Sequence, residues 1–339
     1  MRRHAGFTIV ELLVAMTLGL IVVGGAAAVL ISSASIYRTS DGRAQIQESA
    51  RFSLALMQED VRMAGYMGCF NPFMFGRKAT NLADSATALD GDYATGLSGF
   101  EAGAATWTPA LDTSIGSIGS IGSHPPVAGN DVLVVRTPIG QSLPLSEAMN
   151  NTSEPIPLAS VEGLVNGGLA VISDCSGANI FRVTSIPADK KVLHANSQNT
   201  DNKFTRAFSS FQHATVTPVA TIIYFIAPAA SGVAGERAMW RQVGKEAAEE
   251  VAEGVDSMQI EYGVDTDADM TPNLYVKADA VGVRPVTAVK VSLLLKSADK
   301  RLLAKAATYT FEGKPPTTAA DRRLYTPFTT TISMRNQVK

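Results

Sequence analysis

The stretch Gly6-Phe7-Thr8-Ile9-Val10-Glu11-Leu12-Leu13, continued by an uncharged run to Tyr37, decides how this chain is built. A basic leader, residues 1–6 (Met1-Arg2-Arg3-His4-Ala5-Gly6), precedes it, and a single carboxylate, Glu11, stands at its lip. At 1.5 Å per residue the uncharged run exceeds the roughly 20 residues that cross a bilayer, so a membrane-spanning helix is expected over residues 7–31. Arginines stay on the cytoplasmic side, which places the N-terminus inside and everything after the single span outside. An acidic side chain at the edge of such a segment costs roughly 2.5–3.5 kcal/mol on insertion scales, so Glu11 is expected to have a task, and assembly suits its position. A cleaved secretory signal is one rival, because Ala26-Ala27-Ala28 offers small residues to a peptidase. The length of the uncharged run and the carboxylate at its start count against it. A plain signal anchor, uncut and unassembled, is the other.

The helix is expected to continue beyond the membrane as an amphipathic stalk over residues 32–64. Ile46, Ala50, Leu54, Met57, Val61 and Ala64 recur at steps of three and four, which puts them on one helical face. Gln47, Glu48, Arg51, Gln58, Glu59 and Arg62 form the solvated face, and Gly65 offers the left-handed residue that ends helices. Phe7 to Ala64 would span on the order of 87 Å, with Gly24-Gly25 and Gly42 as places where it could bend.

After Gly65 the composition shifts to glycine, alanine, serine and threonine, and Ser-Ile-Gly repeats three times in tandem from Ser114 to Gly122. Residues 65–129 are therefore expected to be an irregular surface insertion. From Asn130 to the C-terminus the pattern turns to β. Val132–Val135, Leu169–Ile172, Ile180–Val183 and Ile222–Ile226 are short apolar runs bounded by turn residues. Val289, Val291, Leu293 and Leu295 alternate with polar neighbours, as do Phe328, Thr330, Ile332 and Met334. The expected fold class is α+β: one long helix packed on a one-sided antiparallel sheet domain over residues 130–339.

Lys+Arg 29 against Asp+Glu 31 gives a net charge of −2, and loss of Arg2 and Arg3 with the leader would move it to −4. No basic excess points to nucleic acid as the main partner. With 339 residues the chain is long enough to bury a substantial core beyond its helix.

Gly6-Phe7-Thr8 followed by Glu11-Leu12 resembles the class III signal of type IV prepilins. The resemblance implies that a prepilin peptidase cuts between Gly6 and Phe7, that Phe7 becomes an N-methylated first residue, and that Glu11 becomes the fifth residue of the mature chain. A carboxylate in a low-dielectric layer needs a partner, and the amino group of a neighbouring subunit's Phe7 would supply one. Glu11 would then set register between subunits; the alternative is a residue snorkelling at the headgroup boundary. The proline that many pilins carry in the membrane helix is replaced here by Ala28.

The order of stalk, variable loops and sheet, with Gly65-Tyr66-Met67-Gly68-Cys69, Ser173-Asp174-Cys175, Glu261-Tyr262-Gly263-Val264-Asp265 and Phe328 to Asn336, is similar to the PilW minor pilins of type IV pili. It implies a pilin-like fold and a non-enzymatic subunit of a tip-proximal minor-pilin complex that primes pilus assembly, supporting motility and adhesion. The implied partners are other minor pilins, the major pilin, the prepilin peptidase, the inner-membrane assembly platform and a large tip adhesin. The implied location is the bacterial inner membrane, with the globular part in the periplasm, and afterwards the pilus. A pseudopilin of a type II secretion system, and a membrane-anchored adhesin or DNA-uptake protein, are the alternatives.

Cys69 and Cys175 are the only cysteines, and the topology puts both in an oxidising space, where one disulfide is the natural pairing and two buried free thiols the alternative. No cofactor is expected, with one candidate exception. Asp265, Asp267 and Asp269 alternate ahead of Asn273 like the start of a calcium loop, with the Thr271 carbonyl as a further oxygen. Met270 stands where the EF-hand needs glycine and Val276 where it needs a bidentate glutamate, so a solvated acidic hairpin loop is the competing reading. No phosphate loop, paired histidines or serine-hydrolase signature is present. Lys190-Lys191 and Arg322-Arg323 are candidate phosphate contacts, or solvated turns.

Overall fold

The structure is a computed structural model that describes residues 8–72, 78–84, 93–111, 124–244, 246–282 and 284–335. Helix α1 runs from Ile9 to Arg62, 54 residues without a break, through Gly24-Gly25 and Gly42. Gly42 serves close packing: a Cβ there would come within 2.8 Å of Leu302. The helix ends where the sequence suggests. Gly65 takes φ +67° and donates its N–H to the Arg136 carbonyl at 2.8 Å, turning the chain onto the sheet.

The β part consists of two main sheets where one was expected. The larger contains β1 (Thr80–Asn81), β2 (Leu97–Ala102), β3 (Trp107–Thr108), β4 (Val132–Pro138), β5 (Leu143–Pro144), β7 (Leu169–Asp174), β8 (Gly177–Arg182), β10 (Thr215–Pro228), β11 (Arg237–Val243) and β12 (Glu249–Glu253). Its main path is β1-β8-β7-β10-β4-β2-β3, antiparallel except for β1 against β8. The smaller sheet has the order β14-β13-β15-β18, from β13 (Val255–Val264), β14 (Leu274–Val276), β15 (Val286–Lys296) and β18 (Tyr325–Ser333). Two small pairs, β6 (Ile156–Pro157) with β9 (Lys191–Val192) and β16 (Thr308–Tyr309) with β17 (Thr317–Thr318), complete the described strands. The expectation of an irregular segment over residues 65–129 is corrected: β2 lies inside it, pairs with β4 and buries Leu97 and Phe100. The Ser-Ile-Gly triplets lie outside the described residues.

The stripe on α1 packs as its spacing predicts. Ile46, Ala50, Met57, Val61 and Ala64 are buried in a core shared with Leu133, Val135, Ile222 and Tyr224 of the large sheet and Met258, Val289, Val291 and Leu293 of the small one. The large sheet is not one-sided. Val132, Val134, Ile223 and Phe225 point to a second core with Phe100 and Trp240. Burial on both faces explains why Val132–Val135 and Ile222–Ile226 read as continuous apolar runs instead of alternating ones. The two sheets are bolted together by Asn130 and Asp131. The Asn130 Oδ1 accepts the Met258 N–H at 3.1 Å, and Asp131 accepts the N–H of Ala102 and of Ile260, each at 2.8 Å.

Candidate functional site

At its membrane end α1 begins with a capping box. Thr8 accepts the Glu11 N–H at 3.3 Å, while the Glu11 carboxylate accepts the Thr8 N–H at 3.0 Å and its hydroxyl at 3.1 Å. Glu11 is thereby turned back toward the start of the chain, where a carboxylate also favours the helix dipole. Gly6 and Phe7, the expected cleavage and methylation positions, lie outside the described residues. From Ile9 to Tyr37 every side chain of α1 is exposed, and this is the one helix among the described residues long and apolar enough to cross a membrane. Such a length of bare apolar surface needs lipid or other helices around it.

The other end of α1 carries a feature that the stripe alone does not announce. Asp60, only 8% exposed, sits among Met57, Val61 and Ala64 on the buried face. Its carboxylate accepts the Tyr224 hydroxyl of β10, and the Arg241 guanidinium of β11 donates to it through Nε at 3.0 Å and Nη2 at 3.2 Å. Burial pulls the Arg241 pKa down, but the hydrogen bond and charge of Asp60 outweigh it and hold the pKa above its ordinary value. Burial, then the Asp60 charge, pushes the Tyr224 phenol well up. This clasp fixes the rotation and height of the stalk against the sheet. Its signal was in the sequence: a lone acid at i+3 from Met57, inside an apolar stripe.

Cys69 and Cys175 are joined, with Cα atoms 4.6 Å apart. The bond ties the turn after α1 to the β7–β8 hairpin, whose turn is organised by Asp174 Oδ1 accepting the N–H of Ser176 at 2.7 Å and of Gly177 at 3.0 Å. The acidic loop joins β13 to β14, and Asp265, Asp267 and Asp269 offer oxygens within 4.8 Å of one another. Met270 adopts φ +70°, the left-handed conformation for which an EF-hand uses glycine, despite its side chain. Asp265 already accepts three backbone N–H groups, from Asp267 at 3.0 Å, Ala268 at 2.7 Å and Met270 at 2.8 Å. Burial pushes its carboxyl up, and these donors more than offset that, leaving it below the ordinary range. Asn273 accepts the Thr266 N–H at 2.9 Å.

One candidate contact is corrected. Arg323 is 2% exposed and pairs with Glu236 beneath the stalk, so it is neither a phosphate contact nor a solvated turn residue. Lys190 is exposed, with its ammonium on the Ala159 carbonyl at 3.1 Å.

A long exposed apolar helix with a carboxylate at its start, continued by a stalk clasped into a β domain, is consistent with a pilin-like α+β fold and fits a membrane-anchored subunit. The prokaryotic N-terminal methylation motif matches residues 1–27. The model of type IV pilus-assembly protein W matches residues 223–336, from within β10 to just past β18. The two matched stretches make the chain similar at its start to methylated pilin-type N-termini and over its C-terminal third to type IV pilus-assembly protein W, a likeness that supports a PilW-like minor pilin. No curated protein and no solved structure matches the chain.

Proposed function

We propose that this minor pilin acts at the start of pilus assembly, in a tip-proximal complex with other minor pilins, and so supports pilus-dependent motility and adhesion. Its role there is structural. The observation that carries this reading is the division of α1: one half bare and apolar from Ile9 to Tyr37, the other locked into a β domain with two sheets, one disulfide and several cores. A bare helix rigidly joined to a large domain suits a subunit stored in the bilayer and then drawn into a bundle of stalks. The domain would lie in the periplasm, since Arg2 and Arg3 precede the span. Cleavage after Gly6 would free the Phe7 amino group, and Glu11 of one subunit would accept the Phe7 amine of the next. In the membrane the capping box satisfies Glu11 locally until that exchange. The major pilin, the prepilin peptidase, the assembly platform and a tip adhesin are the partners this role requires.

Glu11→Ala tests it. The variant should insert in the membrane at wild-type levels and be recovered with sheared pili at least about tenfold less, since an unmatched charge pair of about 1.4 kcal/mol already gives that factor. Wild-type recovery would refute the register role. Loss of protein secretion with intact pili in a deletion strain would refute the pilus assignment in favour of a secretion pseudopilin.

A further inference from the structure

Among the described residues the two sheets present several free edges, many of them short, charged or covered by side chains. In the large sheet β1 and β3 are two residues long, and β12 carries Glu249, Glu250 and Glu253. In the small sheet β14 has three residues, and the part of β13 that β14 leaves open is covered by the Asn130 and Asp131 side chains on the N–H groups of Met258 and Ile260. β18 is longer, nine residues from Tyr325 to Ser333, paired on one side only and with no charge between Leu324 and Met334.

Its register shows which backbone groups are open. The pairing with β15 runs unbroken from Ala288↔Ser333 to Lys296↔Tyr325, and Met334 donates its N–H to the Thr287 carbonyl at 3.0 Å. Antiparallel pairs alternate, so Ile332, Thr330, Phe328 and Thr326 also direct N–H and C=O at β15. Ser333, Thr331, Thr329 and Pro327 direct theirs away, and the first three have exposed side chains. Among the described residues no partner meets the N–H groups of Thr329, Thr331 and Ser333. Pro327 lies at an outward position, where its missing N–H costs the sheet nothing. Toward Tyr325 the edge is shielded, because Tyr325 stacks on Tyr309 of β16 at 4.9 Å. The open portion is thus residues 328–333.

We infer that this edge of β18 is a docking site for an extended segment of an adjacent membrane-anchored pilin-type subunit, which adds a strand to the small sheet. Alternating donors and acceptors on a neutral strand form a template that another extended main chain matches group for group, displacing the water that otherwise meets them. The occupant follows from where the edge lies. Ile332 and Met334 share the core of the α1 stripe, so β18 runs beside the stalk. A neighbour whose stalk rests on the bare half of α1 is therefore held within reach at a high effective concentration. The inference rests on the pilin reading for that neighbour.

The test uses the full chain in its own cells, with a photo-crosslinking benzoylphenylalanine at Thr329. The expected adduct joins it to a strand segment of another pilin-type subunit. Thr331→Pro removes one outward N–H while keeping β15 paired, as Pro327 already does. It should abolish the adduct and lower recovery in sheared pili at least about tenfold, whereas Thr331→Ala, which keeps the N–H, should leave both unchanged. Retention of the Cys69–Cys175 disulfide and of protease resistance shows that Thr331→Pro has folded; if it has not, Thr331→Lys, which puts a charge on the edge, replaces it with the same expectations. No adduct, an adduct only to a second copy or to a protein outside the pilin type, or wild-type recovery of the edge variant overturns the inference. Absence of the wild-type chain from sheared pili would instead sink the functional reading itself.

Discussion

Replacing Asp60 with alanine should unseat the stalk. Asp60 is 8% exposed, and its loss strands two groups: the Tyr224 hydroxyl, fully buried, and the Arg241 guanidinium, whose side chain is 23% exposed. Breaking a fully buried pair costs about 3–5 kcal/mol, and the remaining access of Arg241 to water places this case at the lower end, about 3 kcal/mol. For a domain of this size that lowers Tm by on the order of 6 °C. The assay is thermal unfolding of the full chain in detergent, followed by tryptophan fluorescence, with Trp240 in the core on the other face of the large sheet as the reporter. Arg241→Met supplies the second leg of a double-mutant cycle. The double variant should cost about 2 kcal/mol less than the two single losses added, because it leaves no charge behind. A loss below about 0.5 kcal/mol in Asp60→Ala, or additivity within that margin, would refute the clasp.

Removing the disulfide by Cys69→Ser with Cys175→Ser should cost roughly 4–5 kcal/mol for a sequence separation of 106, read as a lower Tm than that of the oxidised parent; an unchanged Tm would show that the two segments are held without it. Burial raises the Asp131 carboxyl from 3.8 to about 6, against the donors Ala102 and Ile260, so the folded state binds the extra proton and stability falls as pH rises from about 4 to about 6. Relative to Asp131→Asn, the wild-type chain should therefore recover on the order of 2 kcal/mol between pH 7.5 and pH 4.5, and a pH-independent difference in Tm would contradict this. Because Asp265 is engaged by three backbone donors, Asp265→Ala should open the β13–β14 loop to proteolysis, and about 1 mM calcium should leave the wild-type Tm unchanged. A calcium-dependent rise in Tm that disappears in Asp267→Asn would assign the loop as a cation site.

Much of the stalk is legible in the sequence because helical periodicity is local. The stripe from Ile46 to Ala64, the stop at Gly65 and the strand pattern of Phe328, Thr330, Ile332 and Met334 all follow from side-chain spacing and appear where that spacing puts them. The segment 65–129 escapes such a reading because β2 holds its place by pairing with β4, and a glycine-containing strand such as Leu97-Ser98-Gly99-Phe100 has little intrinsic preference to announce it. Arg323 escapes it for a related reason: a basic pair in a turn looks solvated until Glu236, 87 residues earlier, closes over it.

Local sequence is enough for the anchor, the carboxylate at its start, the amphipathic stalk and the β character of the C-terminal part, because each depends on composition or on neighbours three or four residues apart. Tertiary pairing alone settles that there are two sheets, that Asp60 reaches Tyr224 and Arg241, that Asn130 and Asp131 cover one strand edge, and that β18 is left open. Most of those outcomes depend on pairings between residues more than a hundred positions apart, where a buried polar group must find its partner and an unpaired edge is defined by what does not come to cover it.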